Sequence, residues 1–256
     1  MLFLGLIGVI YLLAFPKTKY PRPTTDYYVN DYANALMMAS RRTITIEGER
    51  LFEYTEDEED GGAQIVFATF MIDDLSEISE YDKTELFRQW KIGKNDMGLL
   101  IILFFSEDEE GFLVLEETQV EVGYRMEQYL APSQIGAILD NTLYSDEYDW
   151  LLDMGVIHLL YELLSEIYVN IYGYASFNYD MDDYYDYLIS YVPDVDDDLD
   201  PMNLIVYLLS PHSTLFEKIL SVLPIALVIL YGTGYGVISK AGGGSSGGHG
   251  VFKRRR

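Results

Sequence analysis

Two apolar runs bracket the chain. Leu2 to Phe15 is fourteen residues without a polar side chain apart from the Tyr11 hydroxyl, closed by Pro16. A full span needs about 20 residues, so residues 1–16 fit either the h-region of a signal peptide or an anchor helix. No basic segment precedes the run and Pro16 follows Ala14 closely, which favours an uncleaved anchor. Near the other end, Ile219 to Ile238 is twenty residues without a charge, ending before Lys240. That length predicts a transmembrane helix over 217–238. Pro224 is tolerable there because neighbouring helices compensate a lost backbone bond. Gly232 and Gly236 form a Gly-x-x-x-Gly pair, a seat for a close helix partner. Small residues near a membrane interface explain the same pair with less. Residues 239–256 are a Gly/Ser-rich basic tail.

Between these runs the pattern alternates between helix and strand periods. Ala39 to Tyr54 reads as a helix. Gly61-Gly62 then breaks the chain before Ala63 to Met71, a run rich in β-branched and aromatic residues that predicts a buried strand. Ser79 to Trp90 predicts a helix with Ser79 as its N-cap. Gly98 to Phe105 is a second buried strand, apolar on both faces as parallel central strands are. Phe112 to Leu115 and Gln119 to Gly123 flank Glu116-Glu117-Thr118 and read as a hairpin. Pro132 opens a helix to Asn141, and a last helix covers about Asp146 to Asn170. Trp150 to Val169 is apolar enough to suggest a span, but His158, Glu162 and Glu166 recur along one stripe. That predicts an amphipathic helix on a soluble core. The order of elements predicts an α/β domain over 26–172, a three-layer α/β sandwich, with membrane helices at both ends of the chain. Any site is expected beyond the carboxyl ends of the parallel strands.

Charge sharpens this picture. The 256 residues carry a net charge of −25. Residues 24–214 hold 41 acids against eight bases, a local net of −33, while both ends are basic. So acidic a body excludes nucleic-acid binding, which needs clustered cations to displace phosphate counterions. The absence of cysteine excludes disulfides, thiolate metal sites and cysteine nucleophiles. Residues 173–214 interleave acids with tyrosines and read as an acidic tether to the span. Lys240 and the terminal basic cluster, Lys253 to Arg256, favour a cytoplasmic C-terminus. The expected location is therefore the plasma membrane, with 24–214 extracytoplasmic, although Lys17, Lys19 and Arg22 argue for the opposite orientation.

Five landmarks in 26–172 carry a family resemblance. They are Asp31-Tyr-Ala33-Asn-Ala-Leu36; Gly62-Ala-Gln-Ile-Val66; Glu85-Leu-Phe87-x-x-Trp90-x-Ile-Gly93; Asp96-x-Gly98-Leu-Leu; and Glu121-Val-Gly-Tyr124-x-x-Glu127-x-x-Leu130. In this order they resemble the TPM domain family, and the flanking apolar segments and Gly-rich tail resemble its membrane-anchored bacterial members. The resemblance implies a three-layer α/β/α Rossmann-like sandwich with a central mixed sheet, held outside the cytoplasmic membrane, and divalent-cation binding, with calcium reported for some members. For thylakoid relatives it implies a proposed acid phosphatase. One departure stands out: Arg125 occupies a position that is usually glycine, which puts any site built on that turn in doubt.

The chemistry narrows the choice. The three histidines, His158, His212 and His249, are scattered, and there is no phosphate loop or nucleophile elbow. A hydrolase would need a carboxylate-held metal to activate water. The candidate ligands are Asp31, Asp96, Glu121 and Glu127 from the family motifs, with Asp73 and Asp74 at a strand end; the cofactor would be Ca²⁺ or Mg²⁺. The competing reading makes Asp31 a helix cap and Glu127 an acid favoured at a helix start. Gln64, Trp90 and Tyr124 are expected to be structural. The function expected is a membrane-embedded binding or accessory domain for membrane or envelope proteins, calcium-dependent in one form. The alternatives are a metal-dependent acid phosphatase and a structural component that self-associates through its spans.

Overall fold

A computed structural model describes residues 19–192, which fall within one compact unit, Thr18–Asn203. The apolar segments 2–15 and 219–238, the Gly232/Gly236 pair and the tail 239–256 lie outside the described residues. Among the described residues no helix is long and apolar enough to cross a membrane.

The framework is a mixed four-stranded sheet with helices, an α/β fold. Its strands are β1 (Val29–Asp31), β2 (Gln64–Met71), β3 (Gly98–Glu107) and β4 (Leu113–Val122), side by side in that order. β1, β2 and β3 run parallel and β4 returns antiparallel to β3. Helix α1 (Met38–Thr55) joins β1 to β2. A 3-10 turn (Leu75–Glu80) and α2 (Lys83–Trp90) join β2 to β3. After β4 come α3 (Pro132–Asn141), α4 (Leu152–Ser165) with a π-helical continuation (Glu166–Ile171), and α5 (Met181–Ser190).

β2 and β3 are apolar on both sides and buried almost throughout, as strands with neighbours on both edges and cover on both faces must be. Phe70 and Phe104 lie side by side in register and meet Tyr81, ring to ring. The residue before Phe70 faces the other way by strand alternation: Thr69 lies beside Asp31, toward the chain leading into α1. α3 begins with Pro132 at its first turn, and the Gln134 side chain accepts the Ala131 N–H at 2.9 Å. Both devices are local, and the helix spans the residues its sequence predicts.

One strand is unexpected and three expectations change. The strand β1, three buried residues, is too short to carry a periodic signal. The expected helix Ser79–Trp90 is two elements: the chain leaves the 3-10 turn in extended conformation at Tyr81, and Asp82 rather than Ser79 caps α2, its carboxylate accepting the Glu85 N–H at 2.9 Å. The expected hairpin at Glu116–Thr118 is one continuous strand paired with β3. An irregularity between Phe104 and Phe105 leaves Glu116 bulged, because Phe104 faces Glu117 and Phe105 faces Leu115. The last helix is shorter than 146–170: a 3-10 turn (Asp146–Tyr148) precedes α4.

The described part of the expected tether is ordered on the domain. Residues 181–190 form α5, capped by Asp180, with Tyr184 and Leu188 buried and α1 and α4 as its neighbours. Tyrosine spacing decides this. Tyr184 and Leu188 are four residues apart and share one helical face, while the acids take the others.

Candidate functional site

At the carboxyl end of β1 the chain turns sharply through Asp31 to Leu36. Asn34 adopts a left-handed conformation (φ +50°) within that turn. The Asp31 carboxylate organises it. Oδ1 accepts from Thr69 Oγ1 (2.6 Å) and the Ala35 N–H (2.9 Å), and Oδ2 accepts from the Leu36 N–H (3.1 Å). Thr69 Oγ1 in turn accepts the Ala33 N–H at 3.0 Å. Asp31 is 5% exposed. It caps the loop ahead of α1 rather than the helix itself, whose N-cap residue is Met37.

The acceptor for Met37 comes from far along the chain. Asp153, in the first turn of α4, accepts the Met37 N–H at 2.8 Å. Burial raises the Asp153 carboxyl above the ordinary carboxylate range; the neighbouring Asp31 charge raises it further, and the Ser40 hydroxyl and Met37 N–H oppose both. Ser40, fully buried, shares a 2.7 Å hydrogen bond with the Tyr184 hydroxyl of α5. Asp31, Thr69, Ser40, Asp153 and Tyr184 thus form one polar cluster at the mouth of the sheet. The sequence singled out only Asp31 of these. Asp153 had one available signal, a lone acid inside the apolar run Leu151 to Ile157.

The other sequence-predicted ligands are dispersed. Asp73 and Asp74 follow β2, at the same end of the sheet as Asp31. Asp74 accepts the Ser76 N–H at 2.8 Å and caps the 3-10 turn, and these hydrogen bonds to Ser76 hold its carboxyl below the ordinary range. Asp96, Glu121 and Glu127 stand at the opposite end, where β3 begins and β4 finishes. Glu121 is engaged by Thr84 Oγ1 (2.7 Å) and by Lys83 Nζ (3.6 Å). Asp96 (φ +61°) turns its carbonyl toward Gly123. Calcium takes six to eight oxygens converging at about 2.3–2.6 Å. Carboxylates split between two ends of the sheet do not converge on one such site, three of them (Asp31, Asp74 and Glu121) are engaged by protein donors, and among the described residues no group of three or more acids or histidines is placed to hold an ion.

The family glycines have a packing reason instead. A Cβ on Gly123 would lie 2.1 Å from the Asp96 carbonyl oxygen, and one on Gly93 (φ +77°) would lie 2.3 Å from the Gly98 nitrogen. Three backbones cross there without room for side chains. Gln64 holds the crossing: its Oε1 accepts the Gly93 N–H at 2.7 Å. Gln64 and Trp90 are buried and structural, but Tyr124 is 74% exposed and packs in no core. Arg125 is helical (φ −78°), so its position requires no glycine, and its guanidinium pairs with Asp60 at 2.5 Å.

A groove of about 660 Å³ lies where α1 and α4 meet the returning 177–187 segment, with Arg42, Arg50, Tyr161, Tyr179 and Tyr187 among its walls. Arg50 pairs with Glu47 at 2.6 Å within α1. Tyr179 bridges His158 and Glu162, so the polar stripe of α4 serves to fasten the segment that follows it.

Mixed sheet, acid-organised turn after β1 and glycine crossing together define an α/β domain whose motif residues are mostly framework. Residues 29–148 match the family model described as TPM domain, and this stretch of the chain is a TPM domain. No curated protein matches significantly. Among solved structures, the solution NMR structure of the N-terminal domain of a protein from P. gingivalis is similar at 17% identity and TM-score 0.43, covering 61% of this chain and 89% of that one. Asp153 and Tyr184 lie beyond the matched residues.

Proposed function

We propose that the domain is a binding or accessory module rather than a hydrolase, held outside the plasma membrane by the apolar segments 2–15 and 219–238, with the tail 239–256 cytoplasmic. The supporting observation is the state of Asp31. The acid best placed to be catalytic has both oxygens engaged by the protein's own donors. Three of the about four acceptor positions of the carboxylate are taken and the group is 5% exposed, which leaves little of it to face a reactant or an ion. Partners are membrane or envelope proteins. Cation dependence enters as an effect of Ca²⁺ or Mg²⁺ on the acidic surface, where a local net of −33 repels itself and is relieved by divalent ions.

The test uses the full-length chain in detergent, titrated calorimetrically with Ca²⁺ and assayed in parallel for hydrolysis of p-nitrophenyl phosphate. Turnover that disappears in Asp31→Asn or Asp96→Asn while the fold persists would overturn the reading in favour of a phosphatase. A reporter active only outside the cytoplasm, fused after Val192, checks the orientation: an inactive but stable fusion removes the extracytoplasmic assignment.

A further inference from the structure

We propose that the outer edge of β4, over its Leu113–Thr118 half, is a docking strand for an extended segment of a partner protein that alternates cationic and apolar residues. The proposal deepens the reading of the domain as a binding module and rests on it. Among the described residues β4 pairs only with β3, which leaves one side of its backbone open.

Which groups face outward follows from the ladder. The Gly123 N–H donates to the Gly98 carbonyl at 2.8 Å, so Gly98 and Gly123 form a hydrogen-bonded pair. Alternation then turns the N–H and C=O of Val122, Val120 and Thr118 away from β3. At the other end the Asp108 N–H donates to the Phe112 carbonyl at 2.9 Å, which by the same counting turns Leu113 and Leu115 outward. The Val120 carbonyl confirms the direction, since it accepts Lys83 Nζ from α2 at 2.6 Å.

Lys83 therefore blunts the edge at its Val120–Val122 end, the usual protection of an edge strand. Among the described residues no side chain is bonded to the outward backbone groups of Leu113, Leu115 or Thr118. There the side chains Phe112 (64% exposed), Leu113 (40%) and Val114 (40%) stand in solvent. Such apolar exposure beside an open edge invites strand addition.

Charge selects the occupant. Residues 107–122 hold seven acids, Glu107, Asp108, Glu109, Glu110, Glu116, Glu117 and Glu121, and no base. A second copy of β4 laid against the first would put like charges opposite one another, which destabilises a strand pair. A strand with Lys or Arg beside Glu117 and apolar residues beside Leu113 and Leu115 satisfies both faces at once. Main-chain bonds supply attachment and the acid row supplies selection.

The experiment measures fluorescence anisotropy of a labelled alternating Lys/Val decapeptide with the full-length chain in detergent, alongside hydrogen exchange read by mass spectrometry. The control is an alternating Lys/Pro decapeptide, equal in charge but lacking the N–H of each residue that would stand beside Leu113 and Leu115. The expected result is saturable binding of the Lys/Val peptide only, with slowed exchange confined to 112–118. Glu117→Lys should weaken it at least about fivefold. Thr118→Pro, which removes an outward N–H and is tolerable on an edge strand, should abolish it. If the proline variant does not fold, Glu117→Lys decides alone. Equal binding of the two peptides, or self-association through β4, overturns the proposal. Absence of peptide binding overturns it too, and leaves the binding-module reading to its own calcium and phosphatase measurements.

Discussion

Asp153 accepts the backbone N–H of Met37 at 2.8 Å, across 116 residues of sequence. The first turn of α4 thereby supplies a carboxylate to the start of α1, and the same carboxylate sits beside Asp31. Two acids in one buried cluster cannot both be charged without cost. Burial and the Asp31 charge hold the Asp153 proton more tightly in the folded chain than in the unfolded one.

The sign of the resulting pH dependence is fixed. A carboxyl with a raised folded pKa contributes stability that is fully present below its unfolded value, 3.8, and is lost as pH rises through the raised folded value. Asp153→Asn keeps an acceptor for Met37 and removes the charge. It should equal or exceed the parent in stability at pH 7 and flatten the pH profile in the acid range. Asp153→Ala leaves the Met37 N–H unpaired and should cost about 1–3 kcal/mol. Urea unfolding of the full-length chain between pH 3 and 7 measures both, and a less stable Asp153→Asn at neutral pH would contradict the account.

Three donors converge on Asp31. Asp31→Ala strands the Ala35 and Leu36 N–H groups and the Thr69 hydroxyl, and a loss of about 3–5 kcal/mol is expected. The readout is the urea midpoint. Were the variant as stable as the parent but altered in ion binding, Asp31 would be a ligand and not a strut.

Gly123→Ala should prevent folding or cost several kcal/mol, since a Cβ would stand 2.1 Å from a backbone carbonyl that no side-chain rotation can move. Soluble yield and circular dichroism suffice to check it. A well-folded Gly123→Ala protein would mean that the Asp96–Gly123 crossing is looser than the geometry requires.

Tyr184→Phe removes one buried hydroxyl pairing with Ser40, worth about 1 kcal/mol. Tyr184→Ala removes the ring as well and should cost about 3–5 kcal/mol, releasing α5 from α1. Limited proteolysis should then cut between residues 173 and 190 in the alanine variant and not in the parent. Equal protection in both would show that α5 is held by other contacts.

Arg125→Gly tests a departure from the family pattern. The Arg125–Asp60 pair is partly exposed on both sides, so its loss should cost no more than about 1 kcal/mol, together with the backbone entropy of glycine. A stabilised glycine variant in thermal melts would indicate that the turn is strained by arginine.

The elements readable along the chain were those whose signals are local. Pro132 and Gln134 mark the start of α3 within four residues, and the Gln64–Met71 and Gly98–Glu107 runs are apolar enough to be central strands in any arrangement. β1 escaped because three residues carry no period. β4 was misread because Glu116, Glu117 and Thr118 look like a turn until β3 holds them extended and takes up the extra residue as a bulge. The TPM motifs were legible as letters, but whether Asp31 binds an ion or ties a loop depends on Thr69, 38 residues away. Composition and periodicity determined by themselves an acidic α/β domain with apolar segments at both ends of the chain, because charge and hydrophobic run length belong to the residues alone. Only tertiary structure brought Asp153 to Met37, bound Tyr184 to Ser40, and sent Asp96 and Glu121 to the end of the sheet away from Asp31. Contacts between distant residues are set by how strands order and helices pack, and no spacing along the chain records them.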